Sequence, residues 1–107
     1  MSQGAAVIYC PHTTAAITIN ENADPDVVRD LLTGLERLAP RDAGWRHAEG
    51  NSDGHLKASL LGSSATVPVV EGRLTLGTWQ GIYLGEFDGP RRRRVIVTLL
   101  PSTGCAG

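Results

Sequence analysis

The segment Asn22-Ala23-Asp24-Pro25-Asp26 dictates a helix start, and that start limits the folds open to the chain. Asp24 can accept from the free amides of a first turn. Pro25 suits the first helical position because its missing N–H is not needed there, and Asp26 complements the positive end of the helix dipole. Val27, Leu31, Leu35 and Leu38 then recur at helical spacing, widened by Val28 and Leu32, so the helix runs to about Ala39 and Pro40 closes it. Gly34 lowers its intrinsic stability by up to ~1 kcal/mol relative to alanine, which tertiary packing can offset.

Around this helix the chain breaks into short β-prone runs. Ala5 to Cys10 reads as a strand ended by Pro11, and Thr13 to Asn20 as a second strand rich in β-branched residues. Arg41 to Gly54 is polar and interrupted by glycine. A shorter helix is expected from about His55 to Leu61, capped by Ser52 or Asp53 and stopped by Gly62, with Leu56, Leu60 and Ala58 toward the core. Thr66 to Val70 and Arg73 to Leu76 read as a hairpin about Glu71-Gly72. Ile82 to Phe87 and Arg92 to Leu100 are two further strands joined at Asp88-Gly89-Pro90. The result is a single α+β domain over residues 1–107, mostly antiparallel.

Composition excludes several classes of function. Ten basic and eleven acidic residues give a net charge of −1, which creates no field to gather nucleic acid or an anionic membrane. No apolar run approaches the roughly 18 residues needed to span a bilayer, and the first residues lack the pattern of a signal peptide. Cys10 and Cys105 are too few for a disulfide framework and read as a half-buried thiol and a tail thiol. A cytoplasmic location is therefore expected.

Chemistry concentrates at the histidines. His12 sits between two strands, His47 in a polar loop and His55 at the start of the short helix. Three neutral imidazoles plus one open position describe a catalytic zinc site, and a helix N-terminus disfavours protonation of His55. The spacing of these histidines fits no standard zinc finger, so separate packing or surface roles stay open at this point. Glu21 precedes the helix cap, so capping does not explain it. It and Glu86, near a strand end, are the candidate general bases or metal-bound carboxylates.

Lys57, with the amides of its helix start, is a candidate anion site. Thr78, Trp79 and Gln80, in a glycine-flanked loop, could stack on and orient a planar ligand, and a bulged β connection is the plainer reading of the same residues. In the run Arg91-Arg92-Arg93-Arg94, a strand would put Arg91 and Arg93 on one face, where they could clamp a phosphate bidentately. A charge-blunted edge strand is the alternative.

In order along the chain, these segments resemble a known family. His12-Thr13-Thr14-Ala15-Ala16 and Asn20-Glu21-Asn22 with Asp24-Pro25-Asp26 open the match. His47 and His55-Leu56-Lys57-Ala58-Ser59-Leu60-Leu61-Gly62 continue it, and Gly77-Thr78-Trp79-Gln80-Gly81-Ile82 with Glu86-Phe87-Asp88-Gly89-Pro90-Arg91 complete it. The chain resembles the YjbQ-like family, described as secondary thiamine-phosphate synthase proteins. The resemblance implies an α+β fold with a mostly antiparallel β-sandwich and two helices, trimerising through its sheets. It implies a divalent metal, zinc before magnesium, held by His12, His47 and His55. It also implies a transferase reaction that joins a pyrimidine pyrophosphate to a thiazole phosphate, with small phosphorylated metabolites as partners. Relative to that family the chain reads as N-terminally shortened. A non-catalytic trimeric metal- or metabolite-binding protein and a metal-assisted phosphate-ester hydrolase are the rival readings.

Overall fold

The computed structural model describes residues 1–102, so Cys105 lies outside it. The elements run β1 (Gln3–Tyr9), β2 (Ala15–Glu21), α1 (Pro25–Leu38), α2 (Ser52–Leu61), β3 (Ser64–Val70), β4 (Arg73–Leu74), β5 (Gln80–Glu86) and β6 (Ile96–Pro101). All strand pairs are antiparallel. One sheet has the order β4-β3-β1-β6, and β2 pairs with β5 in a second.

Alternate residues of three strands build the core. Ala6 and Ile8, with Cys10 just past β1, meet Val67 and Val69 of β3 and Ala15 and Ile17 of β2. Burial alternates along β1 and β3, while β2 buries Ala15, Ala16 and Ile17 in succession between the first sheet and α2, so the observed architecture is α+β with antiparallel sheets packed around one core. Cys10 is fully rather than half buried, at 1% exposure.

Local chemistry explains most element ends. Asp24 caps α1, its Oδ1 accepting from the Asp26 N–H at 2.9 Å, with Pro25 in the first turn. The β3–β4 hairpin turns on Glu71 (φ 53°) and Gly72 (φ 73°), the paired positive φ values of a tight two-residue turn. Gly62 ends α2 with φ 99°.

Several boundaries differ from expectation. β2 begins at Ala15, and Thr14 continues the pairing only in part, its carbonyl accepting from the Phe87 N–H and the Arg93 guanidinium. β5 begins at Gln80, two residues early, as Glu21 pairs with Gln80. The return strand β4 is only Arg73–Leu74.

The largest shift concerns the arginine run, which precedes β6 as irregular chain. The Arg94 N–H is drawn to His12 Nε2 at 2.8 Å, and Arg91 and Arg93 turn onto carboxylates, so this stretch forms no ladder.

The second helix also presents a different face. It starts at Ser52 with Asn51 as its cap residue, and it buries Asp53, Gly54, Lys57 and Ala58. Leu56 and Leu60 are exposed. Gly54 is the reason: a Cβ there would lie 2.7 Å from the carbonyl oxygen of Phe87, so only a small-residue face approaches the sheet this closely. On α1 no residue is buried, and its stripe of Val28, Leu31, Leu32 and Leu35 lines a largely apolar cavity of about 320 Å³ against β2 and β5.

Candidate functional site

The ends of β1, β2, α2 and β5 that meet beside the arginine run enclose the site. A cleft of about 410 Å³ opens there, and His12, His47 and His55 all line it with Glu49, Arg91 and Arg93. Pro11 stops β1 and directs His12 into this corner, while His55 is on the first full turn of α2 rather than at its exposed tip. The rings of His47 and His55 meet edge to face with centroids 5.4 Å apart, and Glu49 Oε1 is 3.9 Å from His47 Nε2. His12 Nε2 accepts the Arg94 N–H, so the proton of the neutral ring sits on Nδ1. Among the described residues, no three His, Cys, Asp or Glu side chains converge tightly enough to hold a metal as they stand. The three imidazoles thus share a cleft without forming a closed cage.

Two carboxylates on the β5 exit set the arginines. Glu86 takes Arg93 as a fork, with Nε to Oε1 at 2.7 Å and Nη2 to Oε2 at 2.5 Å, and Arg93 Nη2 also donates to Thr14 Oγ1 at 2.9 Å. The Arg93 side chain is 9% exposed. The Arg93 guanidinium holds the Glu86 carboxyl below the usual carboxylate range, with the Asp88 N–H assisting. Glu86 is therefore ionised at neutral pH and suited to anchoring rather than to giving up a proton. Asp88 is likewise lowered, first by the Asn51 amide and then by Arg91.

Lys57 does not face the histidine cleft. It lines a neighbouring cavity of about 300 Å³, where its ammonium binds Glu36 at 2.5 Å and Asp53 at 3.2 Å. Burial opposes its charge, but the hydrogen bonds it donates to Glu36 and Asp53 outweigh that and hold it above its ordinary value. Two carboxylates already neutralise it, which leaves it poorly placed to bind phosphate.

Glu21, Thr78, Trp79 and Gln80 lie at the far end of the β2–β5 ladder. Ala15 pairs with Glu86 at the cleft end and Glu21 with Gln80 at the other, a separation of six residues or about 20 Å along a strand. The Gln80 side chain is spent on its own loop, its Oε1 accepting from the Gly77 N–H at 2.8 Å. Trp79 is 63% exposed, not buried as in a packed bulge. The candidate residues thus fall into three groups: the histidines with Arg91, Arg93 and its partner Glu86, Lys57 in the neighbouring cavity, and Glu21 with Thr78, Trp79 and Gln80 at the far end of the ladder.

Sequence reasoning overlooked Thr14, Glu49 and Asn51 at the cleft, and Asp88, which holds Asn51 and Arg91 from the neighbouring cavity. Asp88-Gly89-Pro90 has the composition of a plain turn, and nothing local marks its carboxylate as a partner of Asn51.

Comparison with known proteins identifies the family and its fold. The family model for UPF0047 proteins, YjbQ-like, matches residues 1–102. The chain belongs to the YjbQ-like family. Among its relatives, UPF0047 protein MJ1081 of Methanocaldococcus jannaschii is 54% identical over 100 residues, covering 94% of this chain and 72% of that protein. UPF0047 protein YugU of Bacillus subtilis is also 54% identical, over 101 residues, with 94% and 76% covered. The crystal structure of a YjbQ/UPF0047 protein from Clostridium acetobutylicum superposes with a TM-score of 0.92 at 58% identity, covering 94% of this chain and 78% of that one. A YjbQ-like structure from Sulfolobus solfataricus, at 37% identity, reaches 0.91 with 95% and 75% covered. The α+β architecture is thus the family's own.

Proposed function

We propose that this protein is a metal-dependent enzyme acting on phosphorylated small molecules in the histidine cleft. Of the reactions open to it, we favour thiamine-phosphate synthesis, in which a pyrimidine pyrophosphate and a thiazole phosphate are joined and pyrophosphate leaves. The observation that carries this reading is the gathering of three imidazoles and two arginines around one cavity. Imidazole nitrogens favour zinc over magnesium. His47 and His55 would hold the ion, and His12 would join them only by releasing the Arg94 N–H from Nε2 or giving up the proton on Nδ1. When bound, a divalent ion supplies charge neutralisation to a phosphate oxygen. Arg91, half exposed at the cleft, has Asp88 on its Nε–Nη2 edge and Glu49 3.9 Å from Nη2, and would meet a phosphate through Nη1, while Arg93 is committed to Glu86 and Thr14. Glu49 is the carboxylate beside His47 and the better placed of the acidic groups to orient it.

One observation favours a second enzymatic reading. Trp79 and Gln80, the groups suited to a heteroaromatic ring, lie at the other end of the ladder. A metal-assisted phosphate-ester hydrolase needs no such platform. Assay of the purified protein with zinc or magnesium separates the readings, through thiamine phosphate formation on one side and phosphate-ester hydrolysis on the other. If neither product forms, the enzyme reading fails, and a non-catalytic metal- or metabolite-binding role replaces it.

We also propose that the protein assembles as a homotrimer through its sheets and works in the cytoplasm. The support is the exposed apolar edge strand β6, whose Ile96, Val97, Leu99 and Leu100 are each at least 42% exposed. No helix among the described residues is long and apolar enough to cross a membrane.

A further inference from the structure

Asp88 connects two parts of the cleft that are far apart in sequence. Its Oδ2 accepts from Asn51 Nδ2 at 2.7 Å and from Arg91 Nε and Nη2 at 3.1 and 2.8 Å, and its carbonyl oxygen accepts from Arg91 Nε at 2.9 Å. Asn51 is the cap residue of α2, the helix that carries His55, and is 8% exposed. The clamp uses the Nε–Nη2 edge of Arg91 and leaves Nη1 outside it. An unheld arginine would spread its guanidinium over many rotamers, and holding it in one place removes that entropy from the cost of binding an anion.

We propose that Asp88 is a positioning residue: it ties the Arg91 guanidinium to the N-terminus of α2, so that phosphate-binding group and histidines keep one fixed geometry. This inference rests on the reading of the cleft as a phosphate site. It predicts an effect opposite to that of bare charge. Removing a carboxylate beside Arg91 makes the cleft more positive, and Coulomb attraction alone would tighten anion binding. Loss of a positioning residue weakens it instead. The gain in charge is screened at a half-exposed site, whereas three hydrogen bonds to one ionised oxygen are lost or weakened together.

The test is orthophosphate binding to the full chain, measured by titration calorimetry, together with the 15N resonance of Arg91 Nε. In the Asp88→Asn variant phosphate binding is expected to weaken about tenfold, and the Nε–H signal to broaden through fast exchange. Arg91→Lys keeps the charge but cannot form the fork, and it should lose affinity to a similar degree. Adding Asp88→Asn to Arg91→Lys should then cost nothing more. Unchanged or tighter phosphate binding in Asp88→Asn overturns the inference while leaving the phosphate reading intact. Should Asp88→Asn fail to fold, unchanged affinity in Arg91→Lys overturns it equally. Failure of the unmodified protein to bind orthophosphate overturns the phosphate reading and the inference with it.

Discussion

Glu86 and Arg93 show how a residue can look catalytic in sequence and be an anchor in the fold. A carboxylate at a strand end near histidines invites the role of general base. Here both of its oxygens meet a nearly buried guanidinium, which in turn holds Thr14 next to the His12 corner. Replacing Glu86 with Gln leaves Arg93 without its counter-charge and is expected to cost roughly 1–2 kcal/mol of stability in urea unfolding, less than a fully buried pair because Glu86 is a third exposed. Two carboxylates of this region set a pH dependence. Glu86 and Asp88 are lowered in the folded chain. The unfolded chain therefore binds their protons first as pH falls. Their stabilisation is complete above the ordinary carboxylate range and is lost as pH drops through the lowered folded values. The midpoint for urea unfolding should fall below about pH 4 in the native chain, and more shallowly in Glu86→Gln.

Among the elements, α1 was the most legible and α2 the least. Asp24-Pro25 and Pro40 mark α1 with local chemistry, which acts whatever the rest of the chain does. For α2 the buried face depends on a contact between Gly54 and the carbonyl of Phe87, a long-range approach that no local pattern reveals. The arginine run failed as a strand for a related reason, since its N–H and side chains found partners at His12, Glu86 and Asp88. The sharing of one cleft by the histidines was visible only through family resemblance, and the distance of Trp79 from them was not visible at all. Lys57 illustrates the cost of reading a helix start without its neighbours. It links α2 to Glu36 on α1, a helix with no buried residue of its own. Lys57→Met leaves the buried Asp53 unpaired, and a loss of roughly 3 kcal/mol is expected. Amide exchange in α1 should quicken more than exchange in β1 and β3. Equal change in both would show that Lys57 does not tether the helix.

At the scale of the whole molecule, the cleft and the exposed apolar strand point to different functions of the surface. β6 is an edge strand with all six residues exposed, an arrangement that favours pairing with another copy. Sedimentation should give a trimer, and Val97→Lys with Leu99→Lys should shift it to monomer. A monomeric native chain at micromolar concentration would end the trimer proposal. The central claim concerns the cleft, and zinc content per chain tests it most directly. After equilibration with zinc and removal of the excess, the native chain should retain about one ion, and His47→Ala and His55→Ala should each retain far less while keeping the native circular dichroism. Zinc content unchanged in both variants, or no retained zinc in the native chain, would contradict the account.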